Sequence, residues 1–163
     1  MKKYSKQDQK ILATWAADCA EQVLPFFEIV YPKDKRPRKA IEVCRTWVQT
    51  GIFKMVDIRG ASLAAHAAAR EAKENKVACF AARAAGQAVA TAHVSQHAYG
   101  GSYYALKAIA SDDSVNAEVK VIKAYNWQSR HLSKSLRQEV MSRIIITKNN
   151  HGISIEVKKD EDF

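Results

Sequence analysis

Apolar residues recur at helical spacing along most of this chain, and the pattern changes only near the end. Ser5 followed by Asp8 has the form of a capping box with Asp in place of Glu. Behind it, Ile11, Leu12, Trp15, Ala16, Cys19 and Val23 mark one face of a first helix. Pro25 lacks a backbone donor, so it is expected to kink or end that helix. Phe26 to Val30 would follow as a short apolar extension, up to Pro32. Pro37 suits the first turn of a second helix. Its apolar face is Ala40, Ile41, Cys44, Trp47 and Val48, and Gly51 is its stop.

The pattern predicts a third helix from about Asp57 to Glu74, closed by Asn75, and a fourth from about Lys76 to Tyr99. Gly100-Gly101 reads as a break, Ser102–Ala110 as a short helix and Ser111–Ser114 as a turn. A long helix over Val115–His131 and another over Leu132–Ile144, capped by Ser133, complete the helical part. Then Ile144–Thr147 and Ile153–Val157 alternate as strands around Asn149-Asn150-His151-Gly152, predicting a hairpin with a four-residue turn. A lone hairpin is marginal in water, so it must dock, pair with another chain or fray. Lys158 to Phe163 are expected to be disordered. The fold class is therefore all-α: a compact multi-helix bundle with a short C-terminal β-hairpin. Residues 1–146 form a single helical domain and 147–163 an extension.

Composition places the centre of that bundle. Nineteen of the fifty residues from Ala61 to Ala110 are alanine, and no Asp, Glu, Lys or Arg occurs from Ala84 through Leu106. Alanine is the best helix former, and its small side chain lets helices approach closely. The uncharged run is too rich in Ala, Gly, Gln, Ser and His for a membrane span. No apolar run follows the basic MKKYSKQDQK, so no signal peptide is expected. Three scattered cysteines, Cys19, Cys44 and Cys79, argue against a disulfide framework and fit a reducing cytoplasm.

Charge narrows the partner. The chain of 163 residues carries a net charge of +9, an excess that can signal an anionic partner. The basic residues are spread along the chain, and no segment interleaves them with aromatics as a single-strand binder would. Nucleic acid is therefore not the expected partner.

The least ordinary residues are the polar ones set in the alanine-rich region. Arg59, Ser62, His66, Arg70 and Lys73 share one stripe of the third helix, which puts His66 on its polar side. Cys79, Arg83, Gly86, Ala90, His93 and His97 share a stripe of the fourth. His93 and His97, four apart, could then face one metal ion, with His66, Asp18 or Cys79 as a third ligand. The residue after His93 is Val94, where a zinc protease has Glu. The alternative is that these histidines bond backbone or carboxylate groups in a packed bundle. Asp18, at the edge of the first apolar stripe, would look for Arg83, Arg70 or a histidine, as a salt bridge or as a general base's partner. Arg38, Glu42 and Arg45, spaced i, i+4 and i+7, read as a solvated ladder on the second helix. No G-x-S-x-G elbow or phosphate-cradling glycine loop is present.

Six segments in order carry a family resemblance: LATWAADCAEQVLPFFE (12–28), RPRKAIEVCRTWVQTGI (36–52), AAHAAAREA (64–72), AARAAGQAVATAHVSQHA (81–98), YALKAI (104–109) and NWQSRHLSKSLR (126–137). Over residues 8–146 the chain resembles bacterial putative immunity proteins of the immunity-protein-5-like type. The resemblance implies a small all-α protein that binds and neutralises a co-produced toxin, with no cofactor and no reaction of its own. It carries over Asp18, Glu21, Arg36, Arg38, Glu42, Arg45, His66, Arg70, Arg83, His93 and His97 as partner-binding groups or a buried polar network. The chain departs from the family at Gln22, where arginine is common, and at Ser133, where proline is. A basic binder calls for a toxin with an acidic or neutral face, because complementary surfaces carry opposite signs.

Two other readings stay open: a helical-bundle metalloprotein or enzyme centred on His93 and His97, and a basic adaptor for an anionic partner. A homodimer is compatible with each of them.

Overall fold

In the computed structural model, which describes residues 2–161 and Phe163, the described chain forms seven helices and then a hairpin. These are α1 (Lys6–Val30), α2 (Arg36–Thr50), α3 (Met55–Glu71), α4 (Lys76–Ala90), α5 (His97–Asp112), α6 (Ala117–His131) and α7 (Lys134–Met141), followed by β1 (Ile144–Asn149) and β2 (Gly152–Val157). The all-α bundle with an alanine-rich centre, and the C-terminal hairpin, are as the pattern predicts.

The centre is α4, which packs on α1, α2, α3 and α5. Its Ala78, Ala81, Ala82, Ala84, Ala85 and Ala88 are wholly buried, so helix axes come close on several sides at once. The same closeness joins α1 to α5, where a methyl on Gly101 would stand 3.0 Å from Ala16 Cβ. Trp15, Trp47, Tyr99 and Phe27 fill the wider spaces and are all buried. Each large apolar side chain so buried contributes about 1.5–3 kcal/mol.

Local signals set several ends. Ser5 Oγ accepts the Asp8 amide at 3.0 Å and donates to the Asp8 carboxylate at 2.6 Å, so the acid holds the capping hydroxyl instead of reaching back to the backbone. Pro37 sits in the first turn of α2, and Gly51 ends it with φ 69°. Pro25 does not end α1, which runs five residues further. Val23, Leu24 and Phe27 hold the helix on the core while Pro25 and Glu21 lie exposed, where water can take the bond that proline cannot make. Asn75 does not close α3; its Oδ1 accepts the Ala78 amide at 3.0 Å and starts α4.

The largest departure from the pattern lies between α4 and α5. The predicted single helix Lys76–Tyr99 stops at Ala90, and residues 91–96 form turns. Thr91, His93, Val94 and Ser95 are all weaker helix formers than alanine, and the bonds here tighten to the three-residue kind, as in His93 N–H to Ala90 O at 2.9 Å. Gln9 on α1 makes the break permanent: its Nε2 donates to Thr91 O at 2.9 Å and Ala92 O at 3.1 Å. The chain then re-enters a helix at His97, and Gly100 and Gly101 lie inside α5 instead of breaking it.

The hairpin pairs Ile144 with Val157 through to Asn149 with Gly152, so the loop is Asn150-His151, two residues rather than four. The strand β1 runs across residues 146 and 147. It docks by β2 on α5 and α6, with Ile144 and Ile155 buried. The segment after β2 is not loose throughout, contrary to the disorder expected there: Arg143 holds Asp160 at 2.7 Å, and the Phe163 ring lies 5.3 Å from that of Tyr99. No helix of the described residues is long and apolar enough to cross a membrane.

Candidate functional site

The polar residues singled out in the sequence fall into two groups. The first is a seam that ties α2 to α1 and α3. Arg45 bonds Asp18 at 2.8 Å and also reaches Glu21. Arg38 holds Glu28 at 2.6 Å, and Arg36 bridges Asp34 at 2.7 Å and Glu71. Among the described residues, Glu42 pairs only with Lys39, at 3.8 Å. The expected ladder along α2 is therefore a set of bonds crossing between elements, because α1 packs alongside α2 and supplies acids at the right height. Asp18 correspondingly meets Arg45, not Arg70, Arg83 or a histidine. Hydrogen bonds from the arginines hold the Glu28, Asp34 and Glu71 carboxyls below their usual range.

The second group surrounds a cavity of about 380 Å³ beside α3, to which His66, His93 and His97 all contribute. His66 is not on a solvated face of α3. Its ring lies half-buried against α4, where Gly86 leaves room: a methyl there would stand 2.9 Å from His66 Nε2. Ser62 fastens the same two helices, its Oγ donating to Gly86 O at 3.0 Å. His97 opens α5 and donates from Nδ1 to Gln87 Oε1 at 2.7 Å, which leaves Nε2 as its free acceptor. His93, on the turn, is exposed, with Phe53 stacked 6.5 Å away. Arg59 and the apolar Met55, Ile58, Leu63 and Ala90 complete the wall.

The electrostatics of this cavity have one sign. Burial, then Arg83, Arg70 and His97, push the His66 pKa down. Burial and His93 do the same to His97. Arg70 is exposed, Arg83 is half-buried over the Tyr104 ring at 5.8 Å, and neither has a carboxylate partner among the described residues. Among the described residues, no carboxylate lines the cavity. His66 Nδ1 is buried without a hydrogen-bond partner among the described residues.

This arrangement corrects the metal geometry. His93 lies in the turn and His97 begins a new helix, so the two do not share one helical face. Among the described residues, no three His, Cys, Asp or Glu side chains gather closely enough to hold an ion. Cys19 and Cys44 lie in the core, burial lifting the Cys44 thiol to about 12, and Cys79 is half-buried.

Several residues in or beside this wall carry no sequence signal of their own. Gln87 is one polar residue in an alanine run. Phe53, Met55 and Leu63 look like ordinary core positions, yet all three are exposed. The one hint is Ile52 to Val56, four apolar residues and one lysine just after the Gly51 stop, with no clear helical face.

A second hollow, of about 560 Å³, lies on the other side of the His97–Gln87 pair, between α5 and the hairpin. Its hairpin and tail walls come from residues beyond 135, whereas the histidine cavity lies wholly before them.

Comparison with known proteins found no match among curated proteins or among solved structures. One family's sequence model matches residues 2–135, from the N-terminal stretch to the first turn of α7, and so stops short of residue 146. The chain belongs to the Imm-5 like putative immunity protein family.

Proposed function

We propose that this protein is a cytoplasmic immunity-type binding module that neutralises a partner toxin by contact, with no reaction of its own. The observation that carries the reading is the histidine cavity inside the family-matched region. Its three imidazoles have cations around them and, among the described residues, no carboxylate to orient any of them. A general base of the usual kind sits within reach of an orienting acid; here an amide, Gln87, holds His97. Groups so arranged attract a partner's negative charge and are poorly placed to move protons in a relay. The net charge of +9 points the same way, to a toxin with an acidic or neutral face.

The test is to express the tagged full-length chain in its source cells, identify proteins that copurify in stoichiometric amount, and express each in a sensitive host. The reading expects one partner that stops growth alone and not when this chain is co-expressed. Growth arrest that persists in the presence of a formed complex would overturn it. So would a partner with no toxicity.

A further inference from the structure

Large apolar side chains gather where α3 begins. Val56 is 83% exposed, Ile52 63% and Leu63 55%, with Met55 and Phe53 beside them. An exposed cluster of this kind on a soluble protein marks a place where something docks. It borders the histidine cavity, which shares Met55 and Leu63 with it.

The charges around the cavity say what kind of partner fits. Arg59 is in its wall, Arg70 lies further along α3, Arg83 comes from α4, His93 from the turn and His97 from α5. None of the three arginines has an ion-pair partner among the described residues, whereas Arg36, Arg38 and Arg45 on α2 are all neutralised. The acid nearest Arg59 in sequence, Asp57, lines a separate hollow against α2, and Glu71, next to Arg70, is bonded to Arg36.

Resting on the binding-module reading above, we infer that this face is where the toxin docks. An acidic segment of the partner places a carboxylate in the cavity, beside Arg59 and the imidazoles, and lays apolar side chains on Phe53, Val56 and Leu63. A second copy of this chain is a poor occupant, because a two-fold contact here would set Arg59 and Lys54 against a like-charged surface. Val115, Val119 and Ile122 make another exposed apolar stripe, on and just before α6, but the charges beside it are of both signs, Glu118 being paired with Lys148 and Lys120 with Asp113. Because Nε2 of His97 is an acceptor when neutral, taking a carboxylate draws a proton onto the ring, and binding should strengthen as pH falls.

The experiment uses the full-length chain with the photo-crosslinking residue benzoylphenylalanine in place of Val56, Leu63 or, as a control face, Val119, irradiated in the source cells. The proposal expects one shared protein adduct at 56 and 63, none at 119, and an acidic crosslinked peptide. With that protein purified, Arg59→Glu and Leu63→Asp, both at exposed positions, should each weaken binding at least tenfold without lowering Tm. Binding should tighten several-fold from pH 8 to pH 6, and His66→Gln and His97→Gln, made singly, should reduce that slope. An adduct at 119 alone overturns the surface and leaves the binding-module reading standing. Adducts between two copies of the chain at 56 or 63 overturn it in favour of a homodimer. An adduct whose binding is indifferent to Arg59→Glu overturns the charge argument. No protein adduct at any position, with no copurifying partner, overturns both readings.

Discussion

His66 occupies the space that Gly86 leaves open, its Nε2 standing 2.9 Å from where a methyl group would sit. A side chain at position 86 and the imidazole in its present place exclude each other. The ring is the movable end, so Gly86→Ala should swing it out instead of forcing the helices apart. Alanine also favours the helix by about 1 kcal/mol over glycine, which offsets part of the lost contact. The expected result is a small change in Tm together with a rise of the His66 pKa toward its ordinary value. Histidine ring resonances followed by NMR through a pH titration check it.

Stability should fall between pH 7.5 and 5.5, before any acid denaturation of carboxylates. His66 and His97 both have folded pKa values below the usual one. The unfolded chain therefore takes up protons first as pH drops, and unfolding gains from it. The carboxylates held low by arginines, such as Glu28 and Asp34, act in the same sense but in a lower window, their contribution being lost only near and below pH 4. Urea midpoints across this range should decline by no more than one proton's worth per histidine, and His66→Gln should flatten the slope.

Trp15 supplies a donor that α6 needs. Gln128 O is among the last four carbonyls of that helix, which have no partner within it, and the buried indole Nε1 donates to it at 2.8 Å. Trp15→Phe keeps most of the packing and strands the carbonyl, which should cost about 1–3 kcal/mol. Chemical denaturation measures the loss, with unchanged far-ultraviolet dichroism showing that the fold survives.

Gln9 should matter far more than a half-buried polar residue usually does. It closes the end of α4 through two carbonyls, Thr91 O and Ala92 O. Gln9→Leu removes both bonds and should lower stability by about 1–3 kcal/mol. Hydrogen exchange should quicken first in residues 91–97, which would mark the turn as the part released.

The ion pairs of α2 should matter less. Arg45 is a third exposed, Asp18 about as much and Glu21 half exposed, so solvent screens them. Arg45→Met should cost no more than about 1 kcal/mol, and the difference from the parent should shrink in 1 M salt.

The bundle and its alanine centre were legible because they rest on local propensity and spacing: Ser5, Pro37 and Gly51 act where they stand. The end of α4 was not, because residues 91–97 continue the helical stripe and the group that stops them, Gln9, lies some eighty positions earlier. Pro25 misled for a related reason, since burial of Phe27 outweighs one missing bond. The three histidines drew notice through their chemistry, but their meeting depends on how α3, the turn and α5 pack. That Gly86 seats a ring could be read only once α3 lay across it.

The packing of α1 also sets an order of events during synthesis. This helix lies chiefly on α4 and α5, so its apolar stripe is not fully covered until Asp112 has been made. At the usual pace of translation, about 5–20 residues per second, that wait is on the order of several seconds. Over that interval Leu12, Trp15, Leu24 and Phe27, all buried in the finished protein, are open to chaperones and to neighbouring nascent chains.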